Sequence, residues 1–194
     1  MIVATDGRAA RIEALFAETI RALEASRAPA VQPILEAVDA LLAAFGRQGK
    51  ALIFGNGGSA ADALHFAAEL LGRFERDRRG LAALALPADT SVLTSVANDY
   101  GFERVFARQV EALGAAGDVA IGISTSGASA NVLAALEAAR KGGMVTIAFT
   151  GKDGGTIGRA VDIHVNVPHA STARVQEVHR TLIHAVCELV EAAV

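Results

Sequence analysis

Residues 51–59 read Ala51-Leu52-Ile53-Phe54-Gly55-Asn56-Gly57-Gly58-Ser59, and AADALHFAAELLG follows through Gly72. A short apolar run of strand length meets a glycine-rich turn, and apolar residues then recur at helical spacing. Further strand-length runs lie at 81–86 (LAALAL), 119–124 (VAIGIS), 145–149 (VTIAF) and 162–167 (DIHVNV). Segments 59–72, 103–114 and 130–141 leave room for crossover helices, and a last helical pattern fills 172–193. Parallel neighbours need such crossovers and bury both faces of their sheet. The pattern predicts an α/β fold, a doubly wound three-layer sandwich around a five-stranded, mostly parallel sheet. Before the first run, Ile12, Leu15, Phe16, Ile20 and Leu23 form one helical stripe, and Ile34, Val38, Leu41, Leu42 and Phe45 form another. Pro29 and Pro33 between them predict a break, hence two N-terminal helices within 1–48. A length of 194 residues with 52% hydrophobic content suits one well-buried core, so 1–194 reads as a single domain.

The formal net charge of −3 offers no basic field for nucleic acid. Arg73, Arg76, Arg78 and Arg79 make a local basic cluster, for which a solvated loop is the favoured reading. Cys187 is the single cysteine, so no intrachain disulfide can form and a reducing compartment is expected. The charged N-terminus lacks a signal-peptide run, and no stretch reads as a membrane span, so a cytoplasmic protein is expected.

In open α/β sheets ligands bind beyond the carboxyl ends of the strands. There, Gly55 to Ser59 permits close backbone approach, with Ser59 a candidate N-cap and the helix start open to an anion. The loop is neither a Walker motif nor a dinucleotide fingerprint, and a structural turn remains open. After the third run comes Ser124-Thr125-Ser126-Gly127-Ala128-Ser129-Ala130-Asn131. Its hydroxyls beside a helix start can cradle a phosphate monoester without lysine, the alternative being a capping loop. The turn Thr150 to Gly155 is polar and flexible, with Lys152 more suited to the surface.

Candidate chemistry lies on two helices. His65 and Glu69, four apart, share a face and could share a metal, or form an exposed side-chain pair. Gln176, Glu177, His179 and His184 lie on the last helix. Gln176 and His184 stand eight residues apart, roughly 80° around the axis and about 12 Å along it. If both serve one ion, either extreme extension or two subunits are required. Asn98-Asp99 could bond sugar hydroxyls, or simply end a helix.

These blocks resemble the phosphoheptose isomerases of the sugar-isomerase (SIS) domain family. The resemblance rests on GNGGSAADALHFAAEL, ALPADTSVLTSVANDYGFERVFARQVEALG, GDVAIGISTSGASANVL, FTGKDGG and TARVQEVHRTLIHAVCELVE, in order from about Arg11 to the C-terminus. It implies a homotetramer with active sites between subunits, and interconversion of sedoheptulose 7-phosphate with glycero-manno-heptose 7-phosphate for bacterial surface polysaccharide. It further implies zinc on His65, Glu69, Gln176 and His184, and acid/base roles for Glu69 and His184. Substrate contacts fall on Asn56, Gly57, Gly58, Asn98, Asp99, Ser124, Thr125, Ser126 and Ser129, with Glu69 and Gln176 also facing the sugar. The chain departs from the family at Leu64, where glutamine is usual, and at Ala128 and Ala130, where asparagine and proline are common.

Two other functions share this resemblance. A non-enzymatic SIS paralogue binds the replication initiator DnaA as a tetramer, but it lacks the glutamate and final histidine that are present here as Glu69 and His184. A phosphosugar sensor would carry a DNA-binding extension, and no helix-turn-helix is apparent.

Overall fold

A computed structural model describes residues 5–194, with side chains described from Gly7 onward. Its centre is a five-stranded parallel sheet made of β1 (Ala51–Gly55), β2 (Ala83–Ala85), β3 (Val119–Ser124), β4 (Val145–Gly151) and β5 (Ile163–Val167), in the order β2-β1-β3-β4-β5. Ile53 pairs with Ala85 on one side and Ile121 on the other, and Ile121 with Ile147. The expected sandwich is thus observed, with the strand order reversing between β1 and β3, where such sheets open a crevice for ligands.

Alternate strand residues feed two cores. Ile53, Ile121, Ile123, Phe149 and Val165 pack beneath α1 (Thr5–Gly46), α2 (Gly58–Leu71) and α7 (Thr172–Ala192). Leu52, Phe54, Ala120 and Ala148 face the opposite way, under α3 (Thr90–Tyr100), α4 (Ala107–Leu113), α5 (Ala130–Lys141) and the single turn α6 (Gly155–Gly158). The strands therefore read as continuous apolar runs because both faces are covered. At their amino ends Asp118 accepts from Lys50 Nζ at 2.6 Å and from the N–H groups of Lys50 and Ala115 at 3.0 and 2.9 Å, tying β1 to β3.

Two expectations need correction. Residues 5–46 form one continuous helix containing Pro29 and Pro33, not two helices. Each proline costs about 3 kcal/mol inside a helix. Buried Ala22, Ala30, Ile34, Val38, Leu41 and Phe45 line one stripe on both sides of the prolines, against β5 and α7. At roughly 1.5–3 kcal/mol per large buried side chain, that stripe outweighs the prolines. By length and composition α1 is also the one described helix apolar enough to cross a membrane. Second, β2 pairs over three residues rather than six, because Leu86 and Pro87 enter a 3₁₀ turn and proline has no N–H to give the ladder. The crossover read at 103–114 likewise resolves into a 3₁₀ turn at Phe102–Arg104 followed by α4, with α3 before both.

Candidate active site

The loops leaving β1 and β3 flank the crevice. Gly57 takes φ 56° and is the N-cap of α2, so the helix starts one residue before Ser59, the expected cap. Ser59 is instead buried against Gly55, inside the first turn. Gly58 lies against the end of the Gln176 side chain, which would have to shift to admit a Cβ there. Asn56 is held by a reciprocal amide pair with buried Asn131, at 2.8 and 2.9 Å. That pair bridges the β1 and β3 loops across the crevice. Asn131 was not singled out from the sequence, although it ends the hydroxyl-rich stretch.

In the β3 loop Ser124 Oγ lies 2.9 Å from Ser129 Oγ and 3.4 Å from Ser126 Oγ, and the Ala128 N–H donates to Ser126 Oγ at 3.2 Å. Ser129 stands at the N-cap of α5, yet its side chain makes no bond to the helix. The hydroxyls therefore gather on one another at the helix start rather than capping it, next to Thr125. Gly127, at φ 65°, presses on the backbone of Gly154 and Gly155, and its carbonyl accepts from the Ile157 N–H at 3.0 Å. This contact fastens the β3 loop to the β4 loop. Lys152 is exposed there.

The second cluster forms where α2 packs beside α7. His65 Nε2 meets His184 Nε2 at 2.8 Å, and Glu69 Oε1 stands 3.5 Å from His65 Nε2. Phe74 also packs against His184, ring centroids 5.5 Å apart. All three polar groups remain reachable, His65 and Glu69 being 29% and 22% exposed at the side chain. Burial holds His65 below the usual histidine range, helped by the charges of Arg180 and His184 and opposed by Glu69 and Asp62. A neutral imidazole here is an acceptor or a metal ligand.

Gln176 does not join this cluster in its own chain. It lies at Gly58 in an open cleft of about 490 Å³, lined also by Ala61, Asp62, Glu177 and Arg180. Arg180 donates to Asp62 Oδ1 at 2.7 Å, leaving buried Asp62 Oδ2 unpartnered among the described residues. His65 and Glu69 follow Gly58 by seven and eleven residues, about 10 and 16 Å along α2. The carboxylate thus sits well below the loop edge of its own subunit. Asn98 and Asp99 are bonded to each other at 2.8 Å on the exposed end of α3 and make no bond to the other candidate residues.

Two imidazole nitrogens and a carboxylate oxygen are donor types that suit zinc. Within the single chain, however, no group of three or more His, Cys, Asp or Glu side chains among the described residues is spaced to hold a metal ion. Leu64, which departs from the family pattern, is largely exposed beside His65.

Residues 15–151 match the model of the SIS domain. The chain is 57% identical over 180 residues to a phosphoheptose isomerase of Roseiflexus sp. (strain RS-1), covering 93% of this chain and 89% of that one. The solved phosphoheptose isomerase from Neisseria gonorrhoeae superposes with TM-score 0.89 at 51% identity, over 94% of this chain and 97% of the other. One from Francisella tularensis superposes with TM-score 0.91 at 37% identity, over 95% and 98%. The chain belongs to the SIS domain family and, within it, to the phosphoheptose isomerases.

Proposed function

We propose that this protein interconverts sedoheptulose 7-phosphate and D-glycero-D-manno-heptose 7-phosphate through an enediolate. The observation that carries the proposal is the meeting of His65, Glu69 and His184 on the paired faces of α2 and α7. The DnaA-binding alternative draws no support from the relatives described above.

Shifting the carbonyl from C2 to C1 breaks one C–H bond and makes another. Glu69 takes the C1 proton, and the electron pair moves through C1–C2 onto the C2 oxygen. Glu69 then returns a proton to C2. His184 gives a proton to the C2 oxygen and receives one from the C1 hydroxyl, so the imidazole ends as it began. The phosphate would rest on Ser124, Thr125, Ser126 and Ser129 at the start of α5, where the helix N–H groups supply positive potential. Asn56, Gly57, Gly58, Asn98, Asp99 and Gln176 would face the sugar hydroxyls.

Zinc held by His65, Glu69 and His184 would polarise the sugar oxygens and lower the energy of the enediolate. Gln176, apart from them in its own chain, completes that set only when a second subunit supplies it. The offset of about 16 Å between Gly58 and Glu69 along α2 favours active sites shared between subunits of a homotetramer. So do Ile12, Phe16 and Ile20 on α1 and Leu64 and Leu71, which share another face of α2 from Glu69, all exposed in the single chain. The product would serve surface-polysaccharide heptose synthesis in the cytoplasm.

The direct test follows sedoheptulose 7-phosphate by NMR with purified protein, with and without chelator. Appearance of the aldose, with solvent deuterium entering the carbon that gains hydrogen, is expected. No turnover in zinc-supplemented protein would exclude the isomerase.

A further inference from the structure

Residues 72–80, between α2 and β2, form no helix or strand, yet they are tied down from both sides. The Arg78 guanidinium reaches back to the end of α2. Its Nη2 donates to the Glu69 carbonyl at 2.7 Å, and its Nη1 to those of Leu70, Gly72 and Arg79 at 2.8, 3.2 and 3.0 Å. Of these, the Glu69 and Leu70 carbonyls belong to the last turn of α2 and have no partner within the helix, and a planar five-donor fork can hold several at once. Arg78 Nε also faces Glu191 Oε1 at 3.2 Å in a pair almost closed to solvent, side-chain exposures 7% and 3%. Glu191, from the last turn of α7, accepts the backbone N–H groups of Phe74, Glu75 and Arg76 at 2.9, 2.8 and 2.9 Å.

Each end of this strap touches one member of the proposed acid/base pair. Arg78 grips the carbonyl of Glu69 itself. Glu191 fixes the backbone of Phe74, whose ring rests on His184 at 5.5 Å and 43°. We infer that Arg78 and Glu191 are positioning residues for the isomerisation, setting Glu69 through the end of its helix and His184 through the Phe74 ring. The inference rests on the acid/base roles proposed for Glu69 and His184. Neither residue needs to touch the sugar. A strap that only stabilised the fold would lower the melting temperature and leave turnover of the folded protein intact.

The test compares wild type with R78Q, E191Q, the double variant and F74L, assayed with sedoheptulose 7-phosphate at a temperature where circular dichroism shows each folded. Expected is a 10- to 100-fold fall in kcat with KM within threefold for each single variant, and a double variant no worse than the poorer single. The nuclear Overhauser effect between the Phe74 ring and the His184 Cε1 proton should weaken in E191Q. Folded R78Q and E191Q with kcat within twofold of wild type overturn the inference. If both fail to fold, F74L decides, because leucine keeps the apolar packing and removes the ring; kcat within twofold again overturns it. A wild type without turnover refutes the isomerase proposal separately, and an unchanged Phe74–His184 effect in E191Q then refutes the strap by itself.

Discussion

His65 and His184, 119 residues apart in sequence, face each other Nε2 to Nε2 at 2.8 Å. One nitrogen must carry a hydrogen and the other a lone pair, so the pair shares a proton that a metal ion can replace. Zinc should therefore raise the melting temperature of the wild type at pH 7.5, by about 2.7 kcal/mol of added stability at a hundredfold excess over Kd. The gain should shrink at pH 6, because both ring nitrogens must be proton-free to bind. In H65Q it should fall to less than a third. Thermal melts across a zinc titration measure this, and an equal shift in both proteins would place the ion elsewhere.

Glu69 is partly exposed, and its carboxylate stands 3.5 Å from His65 Nε2. Glu69→Gln keeps the size and removes the proposed base. Turnover should drop roughly a thousandfold while the melting temperature stays within about 3 °C, since substitutions at such positions seldom cost more than about 0.5 kcal/mol. Lost activity with the wild-type elution volume on size-exclusion chromatography is the expected pattern. Near-wild-type turnover would remove Glu69 from the chemistry.

The sheet was legible because β1, β3 and β4 are buried on both faces and so appear as unbroken apolar runs. The hydroxyl loop was equally visible, since its residues are consecutive. Pro29 and Pro33 misled because their local cost is written in the sequence, whereas the burial of Ile34, Val38 and Leu41 that offsets it depends on β5 and α7. His65 and Glu69 announced themselves by spacing. Their partner His184 was fixed by the packing of α2 on α7, which no spacing within one helix reveals. Glu191 was silent for another reason: its partners at residues 74–76 are backbone N–H groups, which carry no signature of residue type.

Gly127 holds the hydroxyl loop against the β4 loop. Its φ of 65° and the lack of room for a Cβ beside the Gly154 carbonyl exclude any side chain without backbone movement. Gly127→Ala should cost about 2–4 kcal/mol, adding left-handed backbone strain to overpacking. It should also raise KM for the phosphorylated sugar more than it lowers kcat, because the Ser124 to Ser129 cluster moves with the loop. Urea denaturation and steady-state kinetics check both, and an unchanged midpoint with KM within twofold would contradict the clamp.

His179 is fully buried, and its Nε2 donates to the Thr150 carbonyl at 2.9 Å, since that oxygen can only accept. Nδ1 is then a bare lone pair with no hydrogen-bond partner among the described residues. Burial pushes its pKa below the usual histidine range, against smaller upward pulls from the Thr150 carbonyl and Asp62. A folded pKa below the unfolded value of about 6.5 means the unfolded chain takes up the proton first on acidification. The stability involved is present above pH 6.5 and is lost as pH falls toward the folded pKa. His65 and His164 are shifted the same way, burial being the main cause in each, so they add to the slope. Chemical denaturation should show stability declining from pH 6.5 to 5. His179→Gln, which can keep the bond to Thr150, should reduce that slope by up to about 1.4 kcal/mol per pH unit, one proton's worth. An identical slope in the variant would mean that His179 takes up its proton in the folded protein as readily as in the unfolded chain.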